Sequence, residues 1–175
     1  MTEIKTERLT LRPLTADNAP AYAAMRYHPE VTKWLMPLQG DPVEAALGTI
    51  GRFAAQWAER GYAPWAVWRE HRLIGHCGLN YVPEFEATEV LWALHPDFWG
   101  GGYATEAARA SLKFGFDDVG LALIFAITKP DNLASQAVVK RLGLEYRKNL
   151  TYRGFEARFF DIDRATWRST VSSRA

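Results

Sequence analysis

The sequence has a single cysteine, Cys77, in 175 residues. A lone thiol excludes an internal disulfide framework and any CxxC metal motif. Reducing cytosol is then the simplest setting. Charge of one sign is missing as well: 21 Lys and Arg stand against 20 Asp and Glu, a formal net charge of +1. A nucleic-acid footprint would show as a basic patch and a high pI, so no nucleic-acid partner is expected. No apolar run approaches the ~18 residues of a membrane span, so no membrane partner is expected either. The opening MTEIKTERLTLRP is charged throughout and has no apolar h-region. No signal peptide is read there, and a cytoplasmic location is expected. His28, His71, His76 and His95 form no ligand spacing, so no metal is expected. What is present is apolar material, 48% of the chain. A domain of this length buries roughly 68–70% of its unfolded surface and needs no staple. One domain over 1–175 is expected, with a structured core at about 7–165 and a frayed tail at 169–175.

Alternation of Leu9 and Leu11 with Arg8, Thr10 and Arg12 predicts a strand over 8–12. Thr15 opens a helix through TADNAPAYAAMRY, with Pro20 in its first turns, where a missing N–H costs least. Residues 28–40 read as a long loop or a short helix. Asp41-Pro42-Val43-Glu44 is a helix start with a capping acid, proline at N1 and glutamate at N3. Gly61 supplies the stop. APWAVWR and LIGHCGLNYV, separated by EHR, predict a hairpin, and Thr88 to Leu94 a third strand of an antiparallel meander. A helix follows in YATEAARASLKFGFDDV. LALIFAI (121–127) predicts a buried central strand. Asn132 to Leu142 is a short helix with Gly143 at C′, and one or two strands close the chain, FEARFFDID being the last. The unit strand, glycines, helix, strand is a βαβ crossover and should be right-handed. The fold class is therefore α/β or α+β with a mixed sheet.

The joint in that crossover is FWGGGYATEA, residues 98–107. Glycines between a strand and a helix N-terminus let successive N–H groups approach one anion, which the helix dipole also favours. A plain glycine-rich turn is the alternative. The dinucleotide fingerprint GxGxxG/A fails, because Thr105 stands where Gly or Ala is needed from Gly100, and Ala104 where Gly is needed from Gly102. A P-loop needs a Gly-Lys pair, and the chain has none.

Trp99-Gly100-Gly101-Gly102-Tyr103-Ala104 resembles the Q/R-x-x-G-x-G/A loop of the GNAT superfamily of acetyl-CoA-dependent N-acetyltransferases, with Trp99 replacing the first Gln/Arg. The run W-G-x-G-Y-A-T-E-A is similar to the RimJ/RimL-like branch, which acetylates ribosomal-protein N-termini. ERLTLRPLTADNAPAYAAM resembles that branch's first strand and helix, and TEVLWALHPDFWG its fourth strand. NLASQAVVKRLGLEYR resembles its second cofactor motif. Together these span about residues 7–165. The resemblance implies six to seven mostly antiparallel strands, about four helices, and a splay between the fourth and fifth strands. It implies acetyl-CoA as cosubstrate and an amine acceptor, either a protein N-terminus or a small molecule. A homodimer is a further arrangement it allows.

The resemblance also assigns residues. Gly100, Gly101, Gly102, Tyr103, Ala104 and Thr105 would hold the CoA pyrophosphate, and the main chain of Trp92, Ala93 and Leu94 the pantetheine arm. Asn132 would contact the arm; a plain helix N-cap is an equal reading. Glu89 matches a catalytic glutamate. A base is useful because an α-amine of pKa about 8 needs about 1.4 kcal/mol to be neutral at pH 7, and a lysine about 4.6. Its alternative is a solvated strand-edge carboxylate. Ser135 matches a serine near the leaving thiolate and the cofactor; its alternative is an ordinary helix-surface serine. The tyrosine many relatives place four residues later is Val139 here, which shifts the acid role to Ser135 or water. Trp34 and Tyr152, with Glu89, are assigned to the acceptor pocket, against simple packing. Cys77 and His76 point to opposite strand faces and cannot pair. A non-catalytic acyl-CoA-binding module and, more remotely, a nucleotide-dependent oxidoreductase are the competing functions.

Overall fold

The computed structural model describes residues 2–36 and 39–172. Among them eight strands form one sheet: β1 (Ile4–Lys5), β2 (Thr10–Pro13), β3 (Trp65–Arg69), β4 (Arg72–Val82), β5 (Ala87–Leu94), β6 (Leu123–Thr128), β7 (Glu145–Tyr152) and β8 (Phe155–Asp163). Their order is β1-β2-β3-β4-β5-β6-β8-β7. All neighbours are antiparallel except β5 and β6. Six helices are described: α1 (Ala19–Arg26), α2 (Pro29–Thr32), α3 (Pro42–Arg60), α4 (Tyr103–Lys113), α5 (Leu133–Leu142) and α6 (Arg164–Ser172).

The mixed sheet and the crossover agree with the sequence reading, and the counts do not: eight strands replace six or seven, and six helices replace four. The extra strand β1 has two residues, too few to display a period. The stretch from 28 contains a single helical turn, α2. Helix α6 runs through Ser172, so the tail read as frayed from 169 begins inside a helix. Residues 173–175 lie outside the described residues. Trp167 fastens α6 by packing against Phe116 at 5.8 Å.

Local chemistry explains the elements that aim the site. Asp41 Oδ1 accepts from the N–H groups of Val43 and Glu44 and starts α3. Gly61 ends it at φ 74°. The helix predicted after the glycines is α-helical to Lys113 and then widens into a π turn, Phe114–Asp118. Alternation along the strands divides two cores. One collects Cys77, Leu79, Val90, Leu94, Ile124 and Ala126 under α4 and α5. The other collects Ala66, Leu73 and Ala93 under α1 and α3. Glu89 shares the parity of Ala93 and so faces the α1 side.

Candidate active site

Strands β5 and β6 pair at Thr88 with Ile124 and at Glu89 with Phe125, and no further. Beyond these residues the strands part. The His95 N–H donates to Ile74 O at 2.7 Å. In an antiparallel ladder, bonded pairs alternate, so the odd residues of β5 turn their main chain to β4 and the even ones turn to the gap. Ala93 therefore spends its main-chain groups on β4, opposite His76. Trp92 and Leu94 turn theirs to the opening. The Trp99 indole N–H donates to Leu94 O at 2.8 Å and occupies one of those groups.

The glycines sit at the mouth of this gap. Gly100 and Gly102 hold φ of 75° and 80°, and Gly102 is the N-cap of α4 without a side chain to cap it. Gly101, which the motif leaves free, has its own cause. A Cβ there would stand 2.8 Å from Tyr103 Cε2. The Tyr103 ring in turn lies under the Arg8 guanidinium at 4.4 Å and near Arg69 at 5.2 Å. Arg8 Nη1 donates to Gly101 O at 2.9 Å, and Arg8 Nε to Glu106 Oε2 at 2.7 Å. Glu106 is partly buried, which raises its pKa, but bonds from Thr6 and from the Arg8 main chain and guanidinium outweigh that and hold it below the ordinary carboxylate range. Sequence reasoning missed Arg8 and Glu106, which are 98 residues apart. Thr105 Oγ1, in the first turn of α4, is buried without a partner. It borders a groove that Gly100 and Gly102 also line. An orphaned hydroxyl and capless N–H groups at a helix start fit an anionic group.

Glu89 lies where the strands begin to part. Burial pushes its carboxyl up to about 8, against a lowering by the Arg153 charge. It keeps a strip of exposed surface, so it is desolvated without being sealed.

A family model described as an acetyltransferase (GNAT) domain matches residues 8–145. The chain belongs to the GNAT family. An uncharacterised N-acetyltransferase of Bacillus subtilis, YoaA, is 29% identical over 145 residues, 81% of this chain and 82% of that protein. The structure of an acetyltransferase from Agrobacterium tumefaciens superposes with a TM-score of 0.82 at 28% identity, covering 93% of this chain and 94% of the other. Mycobacterium smegmatis RimJ, solved with CoA-disulfide, superposes at 0.77 with 20% identity, covering 94% and 88%.

On the GNAT frame the remaining residues fall as follows. Asn132 Oδ1 accepts from the Ser135 N–H at 3.1 Å, so the cap reading of Asn132 holds. Ser135 is half-buried in the first turn of α5. Val139 is fully buried in the core, so that position reaches no cleft. Trp34 is half-buried in the turn after α2, and this segment is tied to the end of β6 by Lys129 Nζ donating to Lys33 O at 2.6 Å. Tyr152 stands nearer the carboxylate: its ring meets Phe85 at 5.4 Å, and Phe85 meets Phe125, the register partner of Glu89, at 5.2 Å. The sequence reading missed Phe85 and Arg153. Among the described residues no helix is long and apolar enough to cross a membrane, and no His, Cys, Asp or Glu cluster could hold a metal.

His76 and Cys77 diverge as strand geometry requires. His76 Nδ1 meets Tyr22 Oη at 3.1 Å on the α1 side, and burial lowers its pKa to about 3, so it is neutral. Cys77 Sγ meets Ser111 Oγ at 3.7 Å under α4. Burial pushes that thiol up to about 12. The thiolate is the reactive form, so an aromatic disulfide reagent should find essentially no fast thiol in the folded protein and one after denaturation. A fast native thiol would contradict this burial.

Proposed function

We propose that the protein is an acetyl-CoA-dependent N-acetyltransferase of the RimJ/RimL-like branch that moves the acetyl group directly to a primary amine, on a protein N-terminus or a small molecule. The observation that carries this reading is the parting of β5 and β6, with the glycine turn at its mouth and a half-buried carboxylate at its root. The CoA held by Mycobacterium smegmatis RimJ, which shares the fold, supports the donor. The name of YoaA supports transfer to nitrogen.

When bound, acetyl-CoA supplies an acetyl group activated as a thioester. The N–H groups of Gly100, Gly101, Gly102, Tyr103, Ala104 and Thr105 would hold its pyrophosphate, and the Thr105 hydroxyl would gain the partner it lacks. Trp92 and Leu94 would offer main-chain groups to the arm, with Ala93 between them and Asn132 beside it. Glu89 takes the proton from the acceptor ammonium, directly or through water. Ser135 donates a hydrogen bond toward the leaving sulfur, since Val139 cannot. Trp34 and Tyr152 line the acceptor side with Glu89.

Titration calorimetry with acetyl-CoA tests the donor, and thiol release tests turnover. The buried Cys77 removes the protein's own thiol from that second signal. Binding below 1 mM (about −4 kcal/mol or stronger) together with amine-dependent thiol release is expected. Absence of binding at that concentration removes the proposal.

A further inference from the structure

Glu89 does not face an aliphatic wall. On its side of the sheet Phe125 stacks on Phe159 at 5.0 Å, and Phe85 closes on both, at 5.2 and 5.7 Å. Tyr152 extends the wall from Phe85 and meets Phe155 at 5.8 Å. Apart from the buried Phe125, these rings keep exposed surface. Cations stand along the rim of the same wall: Arg153 over Tyr152 at 4.9 Å, Lys129 over Phe155 at 5.9 Å and Lys148 over Phe159 at 5.8 Å. The acids on this face are Glu89, Glu84 and Asp161, the register partner of Phe125; Glu84 is already engaged by Arg153 and Asp161 by Arg147.

The placement of Arg153 is the telling detail. Tyr152 pairs with Phe155, so Arg153 and Gly154 alone form the turn between β7 and β8. Both hold positive φ, 46° and 85°. Such two-residue turns want Asn, Asp or Gly at the first position, where a long side chain is strained. The strained residue here is an arginine at the rim of the wall. Its Nε and Nη2 both donate to Glu84 Oε1, at 2.9 and 2.6 Å. A guanidinium has five N–H donors in a planar fork suited to a second carboxylate.

Resting on the acetyltransferase reading above, we propose that the acceptor is a small amino-carboxylate with an aromatic body, of the class of the free aromatic α-amino acids: its amine meets Glu89, its ring lies on the exposed parts of Phe85 and Phe159, which the buried Phe125 backs, and Arg153 takes its carboxylate. Arg153 is a specificity residue of the site. A polyamine would bring further ammonium groups to a rim that already holds three cations, with one unengaged acid to receive them.

The test compares L-phenylalanine with phenethylamine, which differs by the carboxylate alone, using thiol release at saturating acetyl-CoA. Wild-type kcat/KM should favour phenylalanine by about tenfold or more, the order expected of one charge-assisted contact. In Arg153→Asn, which suits the turn, that ratio should fall about tenfold while the melting temperature does not drop. Arg153→Lys should keep part of the ratio. Equal use of the two amines by the wild type, or an unchanged ratio in Arg153→Asn, overturns the proposal. Spermidine and an alanine-initiated peptide complete the panel. Turnover of either in preference to phenylalanine overturns this acceptor and leaves the acetyltransferase reading standing. Thiol release with none of the four overturns this acceptor and removes the support for turnover as well.

Discussion

Replacing Glu89 by Gln should lower kcat/KM by about a hundredfold, within the range general-base catalysis contributes, while the Kd for acetyl-CoA stays within about twofold. The argument starts from location. Glu89 sits at the last register pair between β5 and β6, so it stands where the strands begin to part. Desolvation sets its carboxyl near 8. At pH 7 most molecules then hold the proton, and the base form grows as pH rises. Wild-type kcat/KM should climb toward pH 8, and the variant should lose that component, keeping only the ionisation of the amine itself. The same substitution should affect stability in the opposite sense. A carboxyl whose folded pKa lies above its unfolded value favours the folded state least when it is charged. The penalty is absent below about pH 4.5 and grows until about pH 8. Glu89→Gln removes it, so the variant should gain several kcal/mol by pH 9, at most about 5 before solvent at its exposed edge screens the charge, and little at pH 4. Melting temperatures across that range measure the gain. A variant that keeps its turnover and shows no pH-dependent gain would return Glu89 to a solvated strand-edge carboxylate.

The parts of this site that sequence shows are those built from neighbours in the chain. Asn132 and Ser135 are three residues apart, and their cap is visible in the motif itself. The period of two along 88–94 places Glu89 with Ala93, and the sheet keeps that parity. The parts that stay hidden depend on distant pairing or on segments too polar to carry a pattern. β7, EYRKNLTY, is an edge strand with mostly exposed residues, so no apolar alternation announces it. α6 has Trp167 as its buried anchor, and one tryptophan has no period. Arg153 meets Glu84 across 69 residues, so nothing near it in the chain identifies it as part of the wall. The choice among main-chain groups of β5 was equally illegible. It follows from which residues bond to β4, and this turns Trp92 and Leu94 to the gap and Ala93 away from it.

Gly101→Ala should weaken acetyl-CoA binding about tenfold, and the loss should shrink when Tyr103 is also replaced by Ala. The three glycines of the turn are not equivalent. At Gly100 an added Cβ meets nothing within 4 Å, so alanine there suffers only the strain of φ 75°, about 1–2 kcal/mol. At Gly102 it meets Arg8 Nη2 at 3.4 Å, an ordinary contact, again with a left-handed backbone. Gly101 has no positive φ, and its constraint is steric: the 2.8 Å approach to Tyr103 Cε2 obliges the ring to move. That ring is held by Arg8 at 4.4 Å and Phe98 at 6.0 Å. Arg8 also holds Gly101 O and Glu106, so a displaced ring disturbs the clamp that sets the loop against α4. Overpacking of this kind costs about 1–3 kcal/mol, which is the source of the tenfold figure. In Tyr103→Ala the obstacle is gone, and the added methyl at 101 should be nearly neutral. The coupling between the two substitutions, read as acetyl-CoA Kd in the four proteins of the cycle, should therefore be about tenfold. Additive effects would mean that the Tyr103 ring does not constrain position 101, and that the third glycine still lacks a cause.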